Sequence, residues 1–160
     1  MRRVIIRRAI PTDIESIRKL LVQVNRIHAA ARPDLFKENG IKYEDDSLRE
    51  LLADDQKPIF VADNERGSIL GYVFCIIETT PETPHSYPIR TLFIDDLCVE
   101  EEQRGHQIGS KLFEYAKMFG QEIGCDRMTL HVWNFNQDAY LFYQKKGMYP
   151  LVTTMEYSLK

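Results

Sequence analysis

The stretch from Asp95 to Leu112, DDLCVEEEQRGHQIGSKL, constrains this chain more than any other. It begins as an apolar strand, turns at Arg104-Gly105, and opens a helix whose start carries Gln107, Gly109 and Ser110. The first amides of a helix have no acceptor inside it. Successive N–H groups there, with the positive end of the macrodipole, can hold an anion such as a pyrophosphate. Gly105 and Gly109 leave room for a ligand to approach the backbone, and Arg104 adds a charged fork. A glycine turn before a helix also serves simply to reverse a chain, so geometry alone leaves both readings open.

Length and composition narrow the rest. With 160 residues the chain suits one domain, residues 1–160, large enough to bury a core without staples. Hydrophobic content of 44% and charged content of 28% exclude disorder. A net charge of -3 does not suggest a nucleic-acid partner; Arg2, Arg3, Arg7 and Arg8 form a local basic cluster, read as the solvated side of an edge strand. Cys75, Cys98 and Cys125 are odd in number and lack disulfide or metal spacing. They read as reduced thiols in the core of a cytoplasmic protein, with no metal site. Val4 to Ile6 is too short an apolar run for a signal peptide or a membrane span, so no membrane association is expected.

Periodicity places the elements. Val4 to Arg8 is a strand, Pro11-Thr12-Asp13 a turn and cap, and Ile14, Ile17, Leu21, Val24 and His28 a helical stripe. Arg32 precedes Pro33 and must be extended, so this helix ends near Ala31. Asp46 or Ser47 caps a shorter helix through Leu48, Leu51 and Leu52. Strands follow at Ile59 to Ala62, Ile69 to Glu78 and Thr91 to Val99, the last two joined by a long loop with Pro81, Pro84 and Pro88. After the glycine turn, Ile108, Leu112, Tyr115, Ala116, Phe119 and Ile123 mark a helix to Gly124, and Arg127 to Trp133 alternates as a strand. Asn134 or Asn136 caps a last helix closed by Gly147, and Leu151 to Leu159 alternates as a half-buried final strand. The order β-α-α-β-β-β-α-β-α-β predicts an α/β (α+β) fold with one mixed sheet and helices on its faces.

Two segments resemble motifs of the GNAT acetyltransferase superfamily. One is the coenzyme A loop: Arg or Gln, two residues, Gly, one residue, Gly or Ala. Here it runs from Arg104 to Gly109 after a strand ending Leu97-Cys98-Val99, with Gln107 in place of the usual central Gly. The other is NQDAYLFYQKKGM, in which Asn136, Ala139, Tyr143 and Gly147 match the family's Asn, Ala, Tyr and Gly. Steps of three and four put Asn136, Ala139 and Tyr143 on one helical face. HAAARPDLF, from His28 to Phe36, and the opening Arg7 to Asp13 resemble further family segments, the former lining the acceptor side.

The resemblance implies a mostly antiparallel central sheet flanked by helices, and acetyl-CoA as co-substrate. It assigns coenzyme contacts to Leu97, Cys98, Val99, Arg104, Gly105, His106, Gln107, Ile108, Gly109, Ser110, Asn136, Ala139 and Tyr143, with Tyr143 beside the sulfur. Acetyl transfer to an amine needs a neutral nucleophile, and deprotonating an alkylammonium of pKa about 10.4 costs roughly 4 to 5 kcal/mol at neutral pH. Asp95 and Asp96 stand where polyamine-type members carry Glu-Asp, so Asp95, through a bridging water, is the first choice of base. Strand alternation sends the two aspartates to opposite faces, and a bulge would reverse that parity, so Asp96 stays open as the alternative.

The backbone N–H of Leu97 or Val99 is the expected donor to the thioester oxygen, and Tyr143 the donor to the departing thiolate. Direct transfer fits better than a Cys98 acyl-enzyme, since no His neighbours Cys98 in sequence. The acceptor is expected to be a small cationic amine. The alternatives are a peptide or protein N-terminus or lysine, and a non-catalytic acyl-CoA sensor, which the side chain at Gln107 motivates. By family analogy, the final strand could join two copies as a homodimer.

Overall fold

The computed structural model describes residues 3–160, so Arg2 of the basic cluster lies outside the described residues. The chain divides into two compact units, one up to Leu130 and one from His131.

The first unit holds a five-stranded sheet in chain order: β1 (Ile5–Arg8), β2 (Ile59–Asp63), β3 (Ile69–Thr80), β4 (Ile89–Val99) and β5 (Arg127–Leu130). The first three pairings are antiparallel and β4–β5 is parallel. Parallel neighbours need a crossover, which α3 (Ile108–Glu122) supplies. On one face α1 (Ile14–Ala31) and α2 (Asp45–Leu52) bring Ile17, Leu21 and Leu48 against Val61, Tyr72 and Phe74. On the other, Ile108, Leu112 and Ala116 of α3 pack on Phe60, Val73, Cys75 and Leu92. Both faces of β2 and β3 are therefore covered, which is why they read as nearly continuous apolar runs.

Local chemistry sets several boundaries. Asp13 accepts the Ile10 N–H at 2.9 Å just ahead of α1. Arg7 is half-buried, donating to Asp13 at 2.8 Å and to Asp63 at 2.9 Å, so it ties the start of α1 to the end of β2. The expectation of a solvated arginine row on the edge strand fails at this residue, because two carboxylates converge on it from other elements. At Gly71 a Cβ would lie 2.7 Å from the Cys98 carbonyl oxygen, so only glycine lets β3, β4 and α3 close up there.

β4 carries the feature that matters most for the site. Phe74 pairs with Asp96 and Cys75 with Ile94, leaving Asp95 as an extra residue in a bulge. Pairing with β5 ends at Ile94↔Leu130, one residue before that bulge. From Asp95 to Val99 the β5-facing edge of β4 has no strand partner among the described residues.

The second unit contains α4 (Gln137–Lys145). Asn136 caps it, its Oδ1 accepting the Ala139 N–H at 3.2 Å. Met148 N–H donates to the Tyr143 carbonyl at 3.1 Å around Gly147 at φ 97°, a Schellman closure.

Several boundaries depart from expectation, among them the start of α2, capped at Glu44 rather than at Asp46 or Ser47. β3 and β4 run further, to Thr80 and from Ile89, so their proline-bearing loop is shorter. β5 stops at Leu130 rather than Trp133. The expected final strand from Leu151 to Leu159 is not formed: these residues are exposed and join no ladder. Alternation gives a segment two faces, but a strand exists only where a neighbour takes its backbone hydrogen bonds. No helix among the described residues is long and apolar enough to cross a membrane.

Candidate active site

Each aspartate of the bulge is held by a tyrosine. Tyr43, from the loop before α2, donates to Asp95 Oδ2 at 2.5 Å and stacks on Phe74 with centroids 5.5 Å apart. Lys42 adds Nζ at 3.0 Å from Asp95 Oδ1 and 3.2 Å from the Asp95 carbonyl oxygen. Tyr72, on β3, donates to Asp96 Oδ2 at 2.7 Å and meets Phe74 edge-on. Burial pushes the Tyr43 phenol up from its ordinary range, and the Asp95 hydrogen bond adds to this, so it stays a donor.

The two carboxyl groups differ in environment. The Asp96 carboxyl is enclosed, and this burial raises its pKa above the usual aspartate value although Tyr72 and Lys42 pull the other way. Asp95 keeps 14% of its side chain exposed and faces the loop carrying Lys42. Of the pair, Asp95 is the one that already meets an ammonium group, that of Lys42, within salt-bridge distance. Nearby, His28 packs on Phe36 with ring centroids 5.0 Å apart, and burial together with the Lys42 charge lowers its pKa.

The other expected region leaves its polar groups open. After a 3-10 turn at Glu101–Gln103, Gly105 takes φ 84° and Gln107 φ 63°, ψ 19° as the residue before α3. Gln107 thus keeps a left-handed backbone, at a cost of about 1 kcal/mol for a residue with a Cβ. Within this turn the first backbone amide to find a backbone acceptor is Lys111, donating to the Gln107 carbonyl at 3.0 Å. The amides of residues 105–110 donate to no backbone carbonyl among the described residues, and Gln107 makes no side-chain cap. That run of unsatisfied donors, with Arg104 and His106 beside it, fits a diphosphate.

Gln23 of α1 braces the join between the two regions. Its amide donates to the Val99 carbonyl at 2.9 Å, and its oxygen accepts the Glu101 N–H at 3.3 Å. Cys98 is buried beneath it, and burial pushes its thiol up to about 12, which keeps the sulfur protonated and a poor nucleophile at neutral pH.

The structure therefore brings Asp95, Asp96, Leu97, Cys98 and Val99 onto one strand segment that leads directly into Arg104 to Ser110. Asn136, Ala139 and Tyr143 belong to the second unit, where Asn136 serves as the cap of α4 and Tyr143 is half-buried. Lys42, Tyr43, Tyr72 and Gln23 were not expected. Their contacts join residues 24 to 78 positions apart, and no local pattern signals such pairings.

The chain belongs to the GNAT acetyltransferase family. The family model described as Acetyltransferase (GNAT) family matches residues 23–148. Among solved structures, a mutant of the BH1408 protein from Bacillus halodurans is 32% identical, with a TM-score of 0.94 over 98% of this chain and 99% of that one. An aminoglycoside acetyltransferase from an uncultured soil metagenomic sample, in complex with sisomicin, is 21% identical, with a TM-score of 0.70 over 98% and 97%. An aminoglycoside N-acetyltransferase in complex with CoA is 18% identical, with a TM-score of 0.72 over 98% and 94%. The last two share the fold.

Proposed function

We propose that this protein is an acetyl-CoA-dependent N-acetyltransferase that passes the acetyl group directly to a primary amine on a small cationic molecule. The observation that carries this reading is Asp95, a bulge carboxylate already holding an alkylammonium group, on the strand that runs into the open amides of residues 105–110. A carboxylate that binds an ammonium group can also take its proton. A solved structure of the same fold is an aminoglycoside acetyltransferase in complex with sisomicin, and an aminoglycoside is an acceptor of the same cationic-amine class.

In this reading the amides from Gly105 to Ser110, with Arg104, hold the diphosphate of the thioester substrate. Leu97 and Val99 present backbone to its pantetheine arm, the arm to which the motif resemblance also assigns Asn136 and Ala139. Asp95, directly or through water, accepts the proton of the acceptor ammonium. The freed amine nitrogen attacks the thioester carbon, a backbone N–H of β4 stabilises the oxyanion, the C–S bond breaks as Tyr143 protonates the thiolate, and the nitrogen's second proton, passed through water, restores the phenol. Asp96 is the alternative base, and its enclosure with Tyr72 favours Asp95 instead. The raised Cys98 thiol supports direct transfer over an acyl-enzyme.

The glycine-like angle that Gln107 holds despite its side chain supports the catalytic reading over a non-catalytic sensor. We also propose a cytoplasmic homodimer. The three cysteines are free, and the exposed alternating segment from Leu151 to Leu159 offers a strand to a second copy. Incubation with acetyl-CoA and a panel of amines and peptides, following free thiol, tests the main reading. Thiol release with small polycationic amines is expected; release with peptides alone would move the assignment to peptide acetylation, and release with none would end the enzymatic reading.

A further inference from the structure

Lys42 presents a primary amine where an acceptor amine must sit. Its Nζ lies 3.0 Å from Asp95 Oδ1 and 3.2 Å from the Asp95 carbonyl oxygen, so two acceptors orient it at the bulge. The loop that delivers it is fixed next door, by the Tyr43 hydroxyl on the same carboxylate and the Tyr43 ring on Phe74. The Lys42 side chain is 47% exposed, so the amine is not sealed away. Other lysines make carboxylate pairs too, Lys19 with Glu15 and Lys117 with Glu114, but on helix surfaces far along the chain from the bulge.

We propose that Lys42 is a self-acetylation site and a stand-in for the acceptor, occupying Asp95 until a cationic amine displaces it. The inference rests on the N-acetyltransferase reading above. In the step, Asp95 takes a proton from the Lys42 ammonium and the Nζ lone pair forms a bond to the carbonyl carbon of the acetyl thioester. The C–S bond then breaks, the second proton of the attacking nitrogen passes to the departing thiolate to give the free thiol, and Asp95 releases the proton it took to water. The product amide carries no charge, so Asp95 loses its internal counter-ion and is left ready for an external ammonium group. The same placement makes a cationic acceptor and Lys42 competitors for one carboxylate.

The full chain is incubated with isotopically labelled acetyl-CoA without added amine, and acetyl groups are mapped by peptide mass spectrometry. Lys42 is expected to be labelled about ten-fold or more faster than Lys19 and Lys117, at a rate independent of protein concentration, as an intramolecular reaction requires. A small polyamine should suppress the labelling. Lys42→Arg, which keeps the ion pair and the fold, should abolish it, and Asp95→Asn should slow it about ten-fold or more. Equal labelling of Lys42, Lys19 and Lys117 while added amines still release thiol overturns the inference and leaves the enzymatic reading standing. Absence of both labelling and thiol release overturns both.

Discussion

The bulge of β4 at Asp95 and the turn before α3 at Gly105 lie on one continuous stretch of chain and handle their polar groups in opposite ways. At the bulge every carboxylate is already answered: Asp95 by Tyr43 and Lys42, Asp96 by Tyr72. At the turn, the amides of residues 105–110 find no backbone partner, and the backbone holds a strained angle at Gln107. A region that satisfies itself can be approached only by a ligand that replaces an existing partner, which selects for an ammonium group like that of Lys42. A region left open is solvated when empty and takes an anion without displacing protein.

That contrast can be broken by substitution. Asp95→Asn removes the proposed base and should lower turnover about a hundred-fold with little change in coenzyme affinity, read as kcat against the Kd for coenzyme A. An unchanged kcat would transfer the role to Asp96. Tyr72→Phe strips the donor from the enclosed Asp96 carboxyl and should cost about 2 kcal/mol in denaturant unfolding, because a buried acceptor is left unsatisfied. Tyr143→Phe should lower turnover about ten-fold or more and leave coenzyme binding nearly intact. Unaltered turnover would remove the phenol as proton donor.

Smaller effects sharpen it. At the turn, Gln107→Gly removes about 1 kcal/mol of left-handed strain but adds chain entropy to the unfolded state. The net gain in stability should be about 0.5 kcal/mol, measurable as a shift in unfolding midpoint; a loss would mean the Gln107 side chain contributes contacts of its own. The smallest effect is pH dependence. Because the folded-state pKa of Asp96 is raised, its contribution is fully present below the ordinary aspartate pKa of about 3.9 and is lost as pH rises through the folded value. Asp96→Asn should therefore gain on the wild type in thermal unfolding as pH increases. Asp13 should act in the opposite sense: burial opposes its ionisation, but the Arg7 hydrogen bonds, the Ile10 N–H and the Arg7 charge together outweigh this and lower its pKa, so its contribution is lost as pH falls.

Sequence patterns were most informative where the physics is local. The stripe from Ile14 and the Arg32-Pro33 step delimited α1 as Ile14–Ala31, and the glycine turn marked the start of α3. The bulge that leaves Asp95 out of register is the feature named above as able to reverse the aspartate parity. What was illegible came from distant pairing. Nothing around Ile41 to Tyr43 announces that this loop reaches Asp95, or that Gln23 spans Val99 and Glu101. Leu151 to Leu159 shows the converse failure, since a strand's alternation is written in its own residues while its partner edge is not.

The burial of Cys75 and Cys98 has a consequence for how this molecule ages. Both thiols are sealed in the sheet and pushed up to about 12 by that burial, so almost none of either exists as the thiolate that peroxides attack. Cys125, after the end of α3, is only half-buried. Of the three thiols it is the one with solvent exposure, so an oxidant reaches it before the sulfur buried in β4.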